Sequence, residues 1–206
     1  MTVPMETSPT IDRDALATTL RERILTSADV KRQLADQLDD AVAVAALLVR
    51  AIVSGHKLLL FGNGGSAADA QHISAELIGH YYLDRRSLPA LALTVDTSAL
   101  TAIGNDYAFD LVFARQLDAL GQPGDVAIGL STSGNSRNVV EALRVAKGKG
   151  LVTVAMTGAN GGAAAEVADI CVRVPSTDTP RIQESHILLG HIWAEIIEAA
   201  VVAAER

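Results

Sequence analysis

His72 and Glu76 have a spacing that metal-binding side chains use. They lie four residues apart in a segment with helical periodicity, so they share one face of the predicted helix. Small residues surround them, which leaves room for a ligand to approach. An imidazole and a carboxylate at this spacing are usual metal ligands, but the same pair also occurs on ordinary helix surfaces. The spacing alone leaves both interpretations open.

A long apolar segment near the C-terminus carries a second set of polar candidates. It predicts a helix from about Pro180 to Ala204, because proline is well tolerated in a first turn. Gln183 and His191 are eight residues apart, so they roughly share one side of that helix. His186 should face elsewhere, since five residues place it about 140° from His191.

The loop Gly62-Asn63-Gly64-Gly65-Ser66 has the composition of a ligand-binding loop. Its glycines allow a ligand to approach the backbone, and the helix that follows offers unpaired N–H groups. The loop has no lysine and does not follow the GxGxxG pattern, which excludes a Walker A loop and a standard dinucleotide motif. A tight strand-to-helix turn would have the same composition, so the function of this loop stays open at this point.

A second loop, Ser131-Thr132-Ser133-Gly134-Asn135-Ser136, has four hydroxyl groups in six residues. Turn formation or capping by Asn135 or Ser136 would explain one of these hydroxyl groups, but not four. Together with the N-terminal amides of the next helix, they would form a neutral cradle for an anion. The loop therefore predicts a phosphate site that needs no general positive field.

The predicted elements around these loops alternate between strand and helix. Residues 11–53 contain neither Gly nor Pro and predict two helices, with a break at Thr26 and Ser27. Beyond them, short buried runs alternate with helices, which is typical of a parallel sheet with helices on both faces. The predicted helices ahead of the sheet are Ile11–Leu25 and Ser27–Val53, and the predicted strands are Lys57–Phe61, Ala90–Thr94, Asp125–Leu130, Leu151–Met156 and Ile170–Val174. We therefore expect an α/β fold: a five-stranded parallel sheet sandwiched by helices, residues 55–206, preceded by a helical annex, residues 1–54.

Composition argues against several classes of protein. The chain of 206 residues has a formal net charge of −7 and only 3 % aromatic residues, so neither a basic nucleic-acid surface nor a base-stacking platform is expected. The single cysteine, Cys171, cannot form an internal disulfide and predicts a reducing compartment. Met1–Thr10 lacks the pattern of a signal peptide. The longest apolar run, Ala41–Val49, is nine residues, whereas a membrane span needs roughly 20. A cytoplasmic protein is expected.

Taken together, the motifs resemble a known family. The serine-rich loop of residues 131–136, followed by a helix on a five-stranded sheet, resembles the sugar isomerase (SIS) domain. Residues 62–79, GNGGSAADAQHISAELIG, resemble the phosphoheptose isomerases, which convert sedoheptulose 7-phosphate to D-glycero-D-manno-heptose 7-phosphate for nucleotide-heptose precursors. The resemblance continues through residues 102–106 and 181–184 and covers nearly the whole chain, the helical annex included.

The resemblance implies an aldose–ketose isomerase with one zinc ion per subunit. It places the zinc ligands at His72, Glu76, Gln183 and His191, with Glu76 as the catalytic base and His191 as its partner acid and base. Both residues of the Asn105-Asp106 pair would hold substrate hydroxyl groups. The implied substrate-binding residues are Asn63, Gly64, Gly65, Ser66, Glu76, Asn105, Asp106, Ser131, Thr132, Ser133, Ser136 and Gln183.

In the implied ligand set, Gln183 and His191 are far apart along one helix for two ligands of the same ion. Eight residues span about 12 Å of helix, a long distance for Gln183 and His191 to bind one ion. Either Gln183 lies in a distorted first turn, or the ligands come from more than one chain. The resemblance implies a homotetramer with active sites at subunit boundaries, and the broad apolar faces of residues 11–53 and 180–204 fit helix packing between subunits.

The main alternative is a non-catalytic SIS protein that binds a replication initiator. Residues 87–90 through 101–103 resemble a bacterial protein of that kind, which shares the fold. The resemblance implies that this family lacks the acid–base pair, whereas Glu76 and His191 are both in place here. A third alternative is a SIS regulator that senses a sugar phosphate. It would carry a DNA-binding domain, and residues 1–54 have neither the basic character nor the turn of one.

Overall fold

The computed structural model describes residues 12–205 and has a parallel sheet of five strands at its centre. Each predicted strand is confirmed, with ends that differ by at most two residues. The strands are β1 (Leu58–Gly62), β2 (Ala90–Ala92), β3 (Val126–Leu130), β4 (Val152–Thr157) and β5 (Ile170–Arg173). Their order in the sheet is β2-β1-β3-β4-β5, so the direction of winding reverses between β1 and β3. In such sheets ligands bind at the carboxyl ends of the strands beside that reversal.

Helices cover both faces of the sheet, as the alternating pattern predicted. The eight α-helices are α1 (Arg13–Ala35), α2 (Asp39–Val53), α3 (Gly65–Ile78), α4 (Thr97–Asp106), α5 (Ala114–Leu120), α6 (Arg137–Gly148), α7 (Gly162–Val167) and α8 (Thr179–Ala204) among the described residues, with one 3₁₀ turn at Phe109–Leu111. One hydrophobic core joins α2, α3 and α8 to the face with Leu58 and Leu60. A second core joins α5 and α6 to the face with Leu59 and Phe61. Alternate strand residues therefore serve opposite cores, and this alternation fixes the sheet between two helical layers.

The predicted break at Thr26 and Ser27 is wrong, because α1 runs through both residues. The Thr26 hydroxyl donates to the carbonyl oxygen of Glu22 one turn earlier, at 2.8 Å. The Ser27 hydroxyl donates to a Glu184 carboxylate oxygen on α8, at 2.5 Å. Both hydroxyl groups thus find partners without ending the helix. The chain turns instead between α1 and α2, and acidic residues in the first turn of α2 favour a helix start there. Met1–Thr10, which lack a signal-peptide pattern, and Ile11, the predicted helix start, lie outside the described residues.

The long helix α8 is apolar enough, by length and composition alone, to cross a membrane. It packs instead along the core that contains α2 and α3, where Trp193 and Ile197 are buried. The indole N–H of Trp193 donates to the carbonyl oxygen of Ala41 on α2, at 3.1 Å. This is the packing of a core helix in a globular domain.

His186 lies in the interior of the protein, completely buried on α8. One ring nitrogen lies 3.2 Å from the carbonyl oxygen of Thr157 at the end of β4, and the other has no hydrogen-bond partner among the described residues. Burial lowers the pKa of His186 from 6.5 to about 4, because the charged imidazolium would lose its hydration. The predicted separation of His186 from His191 is thereby confirmed, since His186 faces the end of β4.

The free energy of unfolding is expected to fall as the pH drops from about 6.5 to about 4. In that window His186 is protonated in the unfolded chain but stays neutral in the folded chain. Acid therefore lowers the free energy of unfolding by up to about 3 kcal/mol. Denaturant titrations at several pH values would measure this slope. His186→Gln should flatten it, whereas His80→Gln, at an exposed loop position, should leave it unchanged. An equal slope in wild type and His186→Gln would contradict the assignment.

Candidate active site

Three of the predicted metal ligands come together at the contact between α3 and α8. The Nε2 atoms of His72 and His191 lie 2.9 Å apart, and His72 Nε2 lies 3.2 Å from Glu76 Oε1. One ligand atom from each of these three residues lies within 4.8 Å of the others. The i, i+4 pair is therefore more than a surface pair, because a third donor from another helix completes the cluster.

A glycine explains how His191 reaches His72. A β-carbon on Gly190 would lie 2.5 Å from Cδ1 of Ile73, so only glycine permits this approach of α8 to α3. Gly190 precedes His191, and Ile73 follows His72, so the close contact lies directly beside the cluster. The sequence thus positions the two imidazoles through the residues next to them.

The donor set of this cluster fits a zinc ion. Two imidazole nitrogens and a carboxylate oxygen are among the ligands that zinc prefers, and tetrahedral coordination separates two such nitrogens by about 3.3 Å. The 2.9 Å between the Nε2 atoms of His72 and His191 is near that separation. The side chain of Glu76 is 24 % exposed and that of His72 50 %, so ions and substrate have access.

Gln183, the fourth predicted ligand, belongs to α8, and its side chain lies beside the start of α3. A β-carbon on Gly65 would lie 2.7 Å from Nε2 of Gln183, so the Gln183 amide packs over this glycine. Gln183 and Gly65 stand next to each other much as His191 and His72 do, because α8 and α3 run side by side in the same direction. The role of Gln183 as a zinc ligand stays a prediction.

The first loop joins β1 to α3 and bends sharply at Gly64, which has a φ of +55° that only glycine adopts easily. Ser66 is buried in the first turn of α3. The side-chain amide of Asn63, predicted to contact the sugar, exchanges two hydrogen bonds with that of Asn138 on α6, at 2.9 and 2.8 Å. Asn63 thus ties the first loop to the helix that follows the second loop.

The second loop joins β3 to α6, and its serine hydroxyl groups do not cap that helix. Ser136 is the N-cap residue of α6, yet its side chain makes no capping hydrogen bond. Its Oγ lies instead 3.0 Å from Oγ of Ser131. Ser133 Oγ accepts a hydrogen bond from the N–H of Asn135, at 3.1 Å. The alternative that Ser136 serves only as a side-chain cap is therefore not supported.

A polar cavity of about 220 Å³ opens beside the second loop, at the carboxyl edge of the sheet. Its lining consists mainly of hydroxyl, amide and backbone groups: Thr132, Ser133, Asn135, Gly158, Ala159, Asn160, Ser176, Thr177 and Thr179. Thr132 and Ser133 are among the residues predicted from the sequence, whereas the segments after β4 and β5 were not predicted. The run Ser176-Thr177-Asp178-Thr179, which leads into the first turn of α8, was the available signal, since it repeats the hydroxyl-rich composition of the second loop.

Asn105 and Asp106 lie exposed in the last turn of α4, where the Asn105 amide donates to Asp106 at 2.8 Å. No hydrogen bond among residues 12–205 connects this pair to the other predicted site residues. Their contact with substrate stays a prediction.

Two side chains beside the cluster were not singled out from the sequence. Asp69 lies one turn before His72, and one of its carboxylate oxygens is buried without a hydrogen-bond partner among the described residues. Burial raises the pKa of Asp69, and the nearby His72 opposes this rise. The ring of Tyr81 lies 5.9 Å from that of His191, with 26° between the two planes. No spacing in the sequence indicates that contact, because Tyr81 lies in an irregular segment after α3.

Comparison with known proteins places these features in a family context. The sequence-family model that describes the SIS domain matches residues 24–158 of this chain. The phosphoheptose isomerase of Sulfurimonas denitrificans is 52 % identical over 185 residues, which cover 88 % of this chain and 95 % of that protein. That of Aquifex aeolicus is 54 % identical over 176 residues, which cover 85 % and 92 %.

Solved structures agree with the sequence relatives. The phosphoheptose isomerase structure from Neisseria gonorrhoeae has a TM-score of 0.84 at 44 % identity and covers 89 % of this chain and 99 % of its own. The one from Francisella tularensis has a TM-score of 0.85 at 36 % identity and covers 89 % and 98 %. The predicted resemblance and fold class are confirmed. The alternative of a replication-initiator-binding protein receives no support from these relatives.

Proposed function

The chain belongs to the phosphoheptose isomerases, a family of SIS-domain proteins, and on that premise we propose that it converts sedoheptulose 7-phosphate to D-glycero-D-manno-heptose 7-phosphate. The observation that carries this proposal is the meeting of Glu76 and His191, through His72, where α3 contacts α8. The pair supplies the acid and base that such an isomerisation needs. The reaction would supply precursors of nucleotide-activated heptose.

Aldose–ketose interconversion moves a proton between two neighbouring carbons through an enediol. The reaction needs a base beside the carbon that loses its proton and a second group that transfers protons at the oxygens. We assign the first role to the Glu76 carboxylate and the second to the His191 imidazole, whose ligand atoms lie within 4.8 Å of each other. Zinc bound by His72, Glu76 and His191, with Gln183 as the predicted fourth ligand, would supply a Lewis acid for the substrate carbonyl.

The phosphate of the substrate is assigned to the second loop. Ser131, Thr132, Ser133 and Ser136 lie at the start of α6, where N-terminal amides favour an anion. Because these donors are neutral, an acidic protein can bind the phosphate without a basic surface. The first loop, Asn63 to Ser66, and the pair Asn105-Asp106 are assigned to the sugar.

Incubation of the purified protein with sedoheptulose 7-phosphate and zinc is expected to yield the aldose phosphate. Chelation of the metal should remove this turnover, and added zinc should restore it, because the protein's own cluster supplies the ligands. Metal analysis should find one zinc per chain. A metal-loaded protein that leaves the substrate unchanged would overturn the proposed function, whereas turnover that survives complete chelation would overturn only the metal assignment.

The double variant Ser133→Ala and Ser136→Ala is expected to raise KM for the phosphorylated sugar. Each lost hydrogen bond to a charged group costs about 1.5–3 kcal/mol, so the loss of two should raise KM by about 100-fold or more. Steady-state kinetics would measure this change. Ser54→Ala, at the opposite edge of the sheet, is the matched control. If the double variant saturates at the same substrate concentration as wild type, the phosphate binds elsewhere.

We propose further that the enzyme acts in the cytoplasm as a homotetramer with its sites at subunit boundaries. The apolar side chains of Leu16, Leu20 and Ile24 on α1 are 52 %, 64 % and 66 % exposed in the single chain. Their spacing of four residues places them along one stripe of the helix. Packing against α1 of other subunits would remove this stripe from water. The single free thiol of Cys171 fits a reducing compartment.

A further inference from the structure

An ion pair between Arg85 and Glu198 lies behind the candidate active site. Arg85 Nε and Glu198 Oε1 are 3.3 Å apart, and the two side chains are 0 % and 2 % exposed. Arg85 belongs to the irregular segment between α3 and β2, whereas Glu198 lies on α8, two turns after His191. A buried ion pair costs desolvation, which hydrogen bonds to the other atoms of the two groups must offset. Among the described residues, Arg85 Nε itself has no hydrogen-bond partner.

The Glu198 carboxylate holds the segment that follows α3. It accepts backbone N–H hydrogen bonds from Tyr81, Tyr82 and Leu83, at 2.8, 2.7 and 2.8 Å. Burial by itself raises the pKa of Glu198, but these three donors and Arg85 outweigh burial and lower the pKa overall. One carboxylate therefore fixes three consecutive residues against α8.

The Arg85 guanidinium holds the end of α3 from the other side. Its two terminal nitrogens donate to the carbonyl oxygens of Glu76, Leu77 and Gly79, at 3.0, 2.8 and 3.0 Å. A helix end leaves its last carbonyl groups unpaired, and a cation there satisfies both their hydrogen bonds and the helix dipole. The backbone of the candidate base Glu76 is thus bonded directly to Arg85.

The same segment also reaches the second candidate catalytic residue. Tyr81, whose N–H is held by Glu198, lays its ring against the imidazole of His191, with the ring centres 5.9 Å apart. The rings are inclined by only 26°, so the tyrosine ring is stacked beside the imidazole. One buried ion pair is therefore connected to Glu76 through a carbonyl and to His191 through an aromatic ring.

We propose that Arg85, Glu198 and Tyr81 are positioning residues that set the orientation of Glu76 and His191 for the isomerase reaction. The proposal rests on the proposed function. None of the three needs to touch the substrate. They act by holding the end of α3, the segment of residues 79–85 and the His191 ring in one arrangement, and misplacement of such groups costs rate more than binding.

Two pairs of variants test the proposal with matched controls. Arg85→Lys keeps the charge but loses the planar fork, and it should lower kcat by about 10- to 100-fold with little change in KM. Arg86→Lys is the control, because the neighbouring Arg86 pairs with Glu205 at the surface, where both side chains are nearly half exposed. Tyr81→Leu should lower kcat in the same way, whereas Tyr81→Phe keeps the ring and should restore it.

A second readout does not depend on turnover. In protein labelled with ¹³C at the histidine Cε1 positions, the His191 signal should shift in Tyr81→Leu and return in Tyr81→Phe, because only a ring at position 81 alters the local field. Wild-type kcat and an unmoved His191 signal in Tyr81→Leu would overturn the proposal. If the variants raise KM and lose their fold, and kcat is not specifically lowered, the three residues have a purely structural role. If wild type itself lacks isomerase activity, the proposed function fails, and the His191 signal then tests only the contact between the Tyr81 ring and the imidazole.

Discussion

Replacement of Glu76 by glutamine is expected to reduce kcat by about 10²- to 10⁴-fold while the fold is retained, because an amide of the same size cannot accept a proton. The loss should appear in kcat more than in KM, since it falls mainly on the proton transfer. Turnover of sedoheptulose 7-phosphate at saturating zinc would measure the effect, so that a weaker metal site does not limit the comparison.

The matched control for this variant is Glu141→Gln, at an exposed surface pair with Arg144 on α6. It removes the same charge from the protein and should keep wild-type kcat. Near-normal turnover in Glu76→Gln would contradict the assignment of Glu76 as the base. The cluster would then keep only its metal-binding role.

The parts of the fold that depend on local patterns were predictable from the sequence. Each buried strand is a short apolar run next to glycine or polar residues, and the reversal between β1 and β3 brings the two predicted loops to one edge. The break between α1 and α2 was misplaced because Ser27 finds its partner, Glu184, 157 residues away. A hydroxyl that reads as a helix stop in isolation becomes a contact between helices once α8 lies beside it.

The candidate site likewise has residues that the sequence predicts and residues that it does not. His72 and Glu76 are visible from the sequence because their contact lies within one helix, and His191 joins them through the family resemblance. The contacts of Tyr81, Arg85 and Glu198 have no such signal, since an irregular segment must fold back onto α8 before they meet. Glu198 is nonetheless a lone carboxylate on a buried face of an apolar helix, and buried carboxylates persist only with strong partners.

A chain that begins at Gly55 is expected to lose its stable fold, its assembly and its activity together, although every proposed metal ligand remains. Removal of α2 takes Val44, Leu48 and Ile52, all nearly completely buried, from the core that they share with β1 and α8. Burial of each such side chain contributes about 1.5–3 kcal/mol, and a whole domain is stable by only about 5–15 kcal/mol. Circular dichroism and turnover of the shortened chain would measure the loss, and a folded, active product would contradict it.

Because the truncation removes core and annex together, substitution on the exposed stripe of α1 is the sharper test of assembly. Leu20→Glu with Ile24→Glu should leave the fold intact, since neither side chain contributes to the described cores. The double variant should have a lower mass in light scattering at micromolar protein. It should also have reduced turnover, if each site at a subunit boundary requires the adjacent subunit. Thr18→Glu, on the other side of α1, adds charge without entering the stripe and should keep both mass and turnover. Full activity of the double variant as a monomer would mean that one chain completes the site alone, and that Gln183 must then reach the cluster from its own α8.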